Sequence, residues 1–379
     1  MEWTSWVAVI ALILAAGAVI LLFLLRKDLE SLRFQVATLH TEPAESEENG
    51  SREPGPVVVI YNPSKSADFD EIKSILNETA SDAGLAQPVW IPTTAEDSGY
   101  GQTKQAIGHN PSVVIAAGGD GTVRLVSGAL AGTGIPMGLM PLGTGNLLAR
   151  NLDLPMDSIR NLASIAVTGR SRRIDIGWMS APQASVEARN ELADLDGHAT
   201  LFEGEVPFVV IAGMGFDAQV MDDADDNLKR VMGWSAYIVS GIRHLHGDRV
   251  NATISTGDGA NSVEVEARSI MFANCGTLTA GIVLAPDARI DDGWLDIAVL
   301  DTKGGIVGWT DLVRRLGLQR FGVQDKVFPE TAKIDFRRTR QAQVSARELE
   351  LIQADGDALG YARDVRARID KGALVVRVP

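Results

Sequence analysis

The 379-residue chain has one cysteine, Cys275, so no intrachain disulfide can form and nothing points to an oxidising compartment. Its apolar neighbours Met271, Phe272 and Ala273 mark it as a packing residue rather than a nucleophile. One thiol and five scattered histidines also exclude a zinc-ligand cluster. Basic tracts are missing as well. The net charge is −14, and no basic patch interleaved with aromatics appears, so nucleic acid is excluded as a partner. An acidic body is repelled by an anionic bilayer surface, where each Lys or Arg would have gained about 1 kcal/mol. Surface electrostatics therefore do not hold this protein on a membrane.

A long apolar run can. Trp6–Leu25 is an uninterrupted, uncharged stretch of 20 residues, enough to cross a hydrocarbon core of about 30 Å. Glu2 precedes it and Arg26, Lys27 and Arg33 follow, which predicts a single retained span with the body of the protein in the cytoplasm. A cleaved signal peptide would carry positive charge before a shorter apolar core, and neither is present. Arg26–His40 has the spacing of a short juxtamembrane helix; a brief coiled-coil seam fits equally, which leaves a homodimer open. Thr41–Pro56, rich in Glu, Ser, Pro and Gly, reads as a flexible linker.

The whole chain is 45% apolar, and the part that follows the linker is long enough for two domains. Strand-like runs Val57–Tyr61, Val89–Pro92, Val113–Ala117 and Ile135–Met140 alternate with helical spacing over Asp68–Ala83, Gln102–Gly108 and Thr122–Ala131. That alternation predicts an N-terminal α/β domain with a mostly parallel sheet over 57–155. After a helix at Asp157–Thr168 the texture becomes β-like, predicting a β-rich second domain over 156–379 whose last strands return to the first. Helices are expected there at Asp226–Leu245 and Val307–Leu318, and a surface loop at Ala181–Glu205.

Two glycine loops carry the chemistry. Gly118-Gly119-Asp120-Gly121-Thr122 follows the apolar run Val113–Ala117 and opens onto a helix. Glycines let backbone approach an anion closely, and a helix N-terminus favours phosphate. The acidic Asp120 would repel that phosphate without a cation between them, so the loop reads as a metal–nucleotide site. Pro141-Leu142-Gly143-Thr144-Gly145-Asn146 leaves the next strand, 25 residues on from Gly118 to Gly143. Loops at successive strand exits are where open α/β sheets bind ligands. Neither has the Walker A or the spaced dinucleotide pattern.

Together these loops resemble the catalytic domain shared by diacylglycerol kinases, sphingosine kinases and soluble bacterial lipid kinases, with NAD kinases and phosphofructokinases more distant. The resemblance runs from Val57 to Pro379. It includes Tyr61-Asn62-Pro63-Ser64, Gly213–Ala218, Ala285–Ala288 leading to Asp291–Asp296, and Asp355-Gly356-Asp357. It implies an ATP-dependent, Mg²⁺-requiring lipid kinase acting on a membrane lipid such as diacylglycerol, with its site between two domains. Asn62, Pro63, Ser64, Lys65 and Ser66 would contact nucleotide, as would Thr94 or, with the alignment shifted by one residue, Thr93. Gly118, Gly119, Gly121 and Thr122 would hold phosphate while Asp120 organises Mg²⁺ through water. Thr144 and Asn146 would frame the nucleotide. Asp357 stands where the family has the glutamate that accepts the lipid hydroxyl's proton, one methylene shorter. Asp292, with the carbonyls of Arg289 and Trp294, would bind a structural Mg²⁺. Without the resemblance, Asp355–Asp357 reads as a solvated hairpin tip.

The chain also departs from that pattern. Relatives often have Asn-Glu where Arg124-Leu125 stands, Asp-Phe where Leu147-Leu148 stands, and Ser-Gly in place of Lys65-Ser66. Arg124 would then bind a phosphate directly, and Lys65 would add a phosphate contact. Two other readings stay open: phosphorylation of NAD, which the Asp120 loop alone also fits, and a catalytically weak, membrane-tethered protein that binds nucleotide or lipid.

Overall fold

A computed structural model describes residues 55–195, 199–215, 249–257, 261–277, 285, 287–302 and 332–379. The expected membrane span, juxtamembrane segment and nearly all of the linker lie outside these residues. So do the helices expected at Asp226–Leu245 and Val307–Leu318, and the matching positions Phe216–Ala218 and Pro286. Among the described residues no helix is long and apolar enough to cross a membrane.

The N-terminal part alternates strand and helix. Strands β1 (Val57–Tyr61), β2 (Val89–Pro92), β3 (Val113–Gly118) and β4 (Pro136–Pro141) pair in parallel, in the order β4-β3-β1-β2. β3 is buried along its whole length, as a central parallel strand covered on both faces must be. β2, at the edge, is short and partly exposed, which limits its use as a pairing template. Helix α1 (Phe69–Asp82) buries Ile72, Ile75, Leu76 and Ala80 on one face, and Asp68 caps it by accepting the N–H groups of Asp70 and Glu71. α2 (Tyr100–Ile107), α3 (Asp120–Leu130), α4 (Leu147–Asn151) and α5 (Ile159–Thr168) follow. α5 packs on β4 and α1, so this layer extends past residue 156.

The later part is β-rich: β5 (Arg170–Ala181), β6 (Gly204–Phe208), β7 (Ile211–Met214), β8 (Val250–Thr256), β9 (Asn261–Ala267), β10 (Ser269–Ala273), β11 (Leu295–Thr302), β12 (Ala332–Thr339), β13 (Gln341–Ala354) and β14 (Asp357–Val378). The segment expected to be a loop contains a helix, α6 (Val186–Leu195). It buries little apolar surface, so its periodicity is faint. Its Glu191 carboxylate accepts the Leu349 N–H and pairs with Arg363, which ties it to β13 and β14.

One mixed sheet runs through both parts, β12-β11-β10-β7-β13-β14-β4-β3-β1-β2, with β5 also on β14 and β8 on β13. β14 is the joint. Its first half pairs antiparallel with β13, and its end lies between β4, in parallel through Val375 and Val376, and β5. Two apolar clusters result. One lies around β1, β3, β4 and the helices, and the other around Phe208, Phe272, Ile297, Val344 and Ile352.

Candidate active site

Three strand exits and one hairpin turn meet beside α3. That helix begins at Asp120, with Gly119 as its N-cap and no side chain capping it, so N–H groups of its first turn are left for an anion. The two glycine loops touch. A Cβ at Gly143 would stand 2.8 Å from Gly119 Cα, and the Leu142 N–H donates to Gly118 O at 2.8 Å. A Cβ at Gly118 would collide with Thr122 at 2.7 Å. These glycines are required by close approach, not by turn geometry.

Asp120 binds the loops together. Its Oδ2 accepts the Asn146 N–H at 2.9 Å and its Oδ1 the Leu147 N–H at 2.6 Å, at the start of α4. Asn146 takes the left-handed conformation there (φ 48°) and closes its own loop, accepting from Gly143 N–H and donating to Gly143 O. Burial pushes the Asp120 carboxyl above its ordinary range and the charge of Asp357 adds to the push, while the two N–H bonds oppose it.

At the end of β1, Asn62 Oδ1 accepts both the N–H and the hydroxyl of Ser64, forming an Asx turn that includes Pro63. Lys65 leaves this turn toward the first glycine loop: a Cβ at Gly119 would lie 3.4 Å from Lys65 Nζ. Ser66 is exposed beside it. Thr94 follows β2, and its hydroxyl accepts the Asp97 N–H at 3.1 Å. Neighbouring Thr93 is buried, so Thr94 is the threonine open to the outside. Thr144 is exposed at the tip of the second loop.

Asp355-Gly356-Asp357 joins β13 to β14. Asp355 (φ 47°) and Gly356 (φ 91°) both take positive φ, the tight hairpin turn that Asp-Gly favours. One of its two carboxylates departs from the local reading of a solvated tip: Asp357 is exposed, but Asp355 is buried. Asp355 is 4% exposed, and its carboxylate accepts three N–H groups, from Val209, Val210 and Ile211, at 2.8–2.9 Å. Burial pushes its carboxyl up to about 6 against those bonds. Held this way, the turn sets Asp357 against α3. A Cβ at Gly121 would stand 2.7 Å from Asp357 Oδ2, and that oxygen accepts from Arg124 Nη2 at 3.0 Å. Gly121, Arg124 and Asp355 thus shape the site; the Asp-Gly turn signal was visible in the sequence, but its burial was not.

The candidate metal residues form a separate cluster. Asp292 Oδ1 accepts the Trp294 N–H, and Oδ2 pairs with Arg338, which also reaches Asp296. Each oxygen of that carboxylate thus has a partner within the chain. Arg289 lines a small cleft with Asn151, Arg172 and Cys275, and Trp294 stacks under Arg340. Buried Asp175 organises this corner by accepting the N–H groups of Gly293 and Gly372. Among the described residues no set of three or more His, Cys, Asp or Glu side chains is grouped to hold a metal.

Comparison with known proteins agrees with this layout. Residues 56–179 match the family model of the diacylglycerol kinase catalytic domain, and residues 209–378 that of the YegS C-terminal NAD kinase beta sandwich-like domain. A Pseudomonas aeruginosa protein named "probable lipid kinase YegS-like" is 27% identical over 332 residues, 85% of this chain and 94% of that protein. An uncharacterized Synechocystis protein is 30% identical over 206 residues, 54% of this chain but only 42% of its own length. The crystal structure of a diacylglycerol kinase from Bacillus anthracis superposes with a TM-score of 0.63 at 20% identity, covering 87% of this chain and 99% of that one. At that identity the likeness speaks for the fold.

Proposed function

Because the chain belongs to the diacylglycerol kinase catalytic-domain family, we propose that it is an ATP-dependent lipid kinase, transferring the γ-phosphoryl group to a hydroxyl of a membrane lipid such as diacylglycerol. The observation that carries this reading is the convergence of Asp357 on Gly121. It sets a carboxylate, able to take a hydroxyl proton, directly on the loop suited to phosphate.

Each residue then has a task. The N–H groups of the first turn of α3 and the Lys65 ammonium bind the phosphate oxygens and spread their charge. Gly119 and Gly143, lacking side chains, let backbone reach those oxygens. Asn62, Ser64, Thr94, Thr144 and Asn146 border the nucleotide, with Pro63 and Ser66 shaping the first turn. Asp120 fixes one glycine loop to the other and would help to hold Mg²⁺ there. When bound, Mg²⁺ neutralises charge on the transferring phosphoryl group. Asp357 accepts the proton of the lipid hydroxyl as the new P–O bond forms and the bond from the γ-phosphorus to the bridging oxygen breaks, releasing ADP. The apolar run Trp6–Leu25 keeps the body beside a substrate confined to the bilayer, raising its effective concentration without any new contact.

Full-length protein in mixed micelles with γ-labelled ATP, Mg²⁺ and a total lipid extract should transfer label to a lipid. NAD, added as a competing acceptor, should stay unlabelled. Nucleotide binding with no labelled lipid would refute the assignment, and labelled NAD would redirect it.

A further inference from the structure

Arg124 is a buried cation with a single anionic hydrogen-bond partner. Its side chain is 7% exposed while that of its partner, Asp357, is 49% exposed. Only Nη2 is engaged; Nε and Nη1 are buried without a hydrogen-bond partner. A guanidinium taken out of water and given one carboxylate is committed to it, since losing that partner leaves an uncompensated charge indoors.

The geometry turns that commitment into an aim. Arg124 lies four residues after Asp120, one helical turn on, so both side chains leave the same face of α3. Asp120 reaches the second glycine loop and Arg124 reaches the β13–β14 turn, 233 residues away in sequence. Asp357 therefore meets the first turn of α3 both sterically, against Gly121, and ionically. The charges close the case. Asp120 feels the charge of Asp357, and the charge of Arg124 favours ionised Asp355. Three carboxylates thus share one neighbourhood, and Arg124 is the guanidinium among them.

We propose that Arg124 is the positioning residue of this site: it holds the Asp357 carboxylate against Gly121, facing the glycine loops, and is not itself a phosphate ligand. The inference rests on the lipid kinase reading for its catalytic consequence, but its structural part stands alone. It replaces the direct phosphate contact that the sequence had implied for Arg124.

The test uses the full-length chain with Arg124→Met, Arg124→Lys and Asp357→Asn. Arg124→Met should lower kcat roughly 10- to 100-fold through misplacement of the acceptor carboxylate, leaving KM for ATP and nucleotide affinity unchanged. Arg124→Lys should recover part of that loss, because a point charge restores the pair without the guanidinium's fork. In thermal unfolding, Asp357→Asn should lower Tm more than Arg124→Met, since only the former strands a buried cation. A raised KM for ATP with kcat intact would make Arg124 a phosphate ligand and overturn the proposal. So would a Met variant with undiminished kcat, or a Lys variant no better than Met. If the wild-type protein labels no lipid, the kinase reading fails by itself. The Tm order still decides the pairing: equal or reversed values overturn it.

Discussion

Two aspartate–glycine pairs, Asp120-Gly121 and Asp355-Gly356, do the same local job in opposite surroundings. Each spends its carboxylate on backbone N–H groups of a distant segment, two from the start of α4 for Asp120 and three from the β6–β7 connection and the first residue of β7 for Asp355. The difference lies in what adjoins them. Asp120 opens a helix whose free N–H groups and dipole suit an anion. Asp355 sits in a hairpin with no such field and acts as a rivet, and the residue that faces the site is Asp357, two further on. An Asp-Gly pair can therefore anchor a fold or border a reaction, and its environment decides which.

The sharpest way to break this comparison is to separate activity from stability. Asp357→Asn should cost about 10²–10⁴-fold in kcat, the usual worth of a general base, while the protein still unfolds cooperatively; undiminished lipid phosphorylation would show the base lies elsewhere. Asp355→Ala should act through the fold instead. Leaving three N–H groups unmet, at about 1–3 kcal/mol each, should remove roughly 3 kcal/mol or more in urea unfolding. Asp120→Ala, leaving two, should cost less, and the reverse order would mean that the rivet is Asp120.

The pH dependence of stability sharpens the contrast. The Asp355 carboxyl is raised from 3.8 to about 6 in the folded state, so the native protein holds that proton more tightly than the unfolded chain. Its stabilising contribution is complete below the unfolded value and is lost as pH rises through about 6. Subtracting the Asp355→Asn profile from that of the wild type over this window should give a falling difference; a flat one would mean the group is ionised throughout. The smallest effect is expected at Gly143→Ala. Its Cβ would press on Gly119 at 2.8 Å, costing about 1–3 kcal/mol of overpacking and raising KM for ATP a few-fold. An unchanged KM would show that the two glycine loops need not touch.

Legibility followed burial. β1, β3 and β4 are continuous apolar runs because both faces of a parallel sheet are covered, and they stand out without context. β13 and β14 run 14 and 22 residues, yet a steady apolar alternation is confined to short stretches, Gln343–Ala346 and Leu374–Val378. Between those ends lie Arg363, Asp364, Arg366 and Arg368, on a stretch that is only half covered. The glycine loops were legible because their chemistry is local. The Arg124–Asp357 contact was not, since a pair 233 residues apart leaves no trace in any window of sequence. Asp357 itself was found only through resemblance to a family.

β14 carries Asp357 at its first residue and Val375 and Val376, the partners of β4, near its last. One strand therefore supplies the candidate base and completes the sheet under the glycine loops. As a chain grows from its N-terminus, the two glycine loops are made long before this strand exists. The loops and the candidate base are thus synthesised at different moments, and the candidate site is whole only once the last strand is in place.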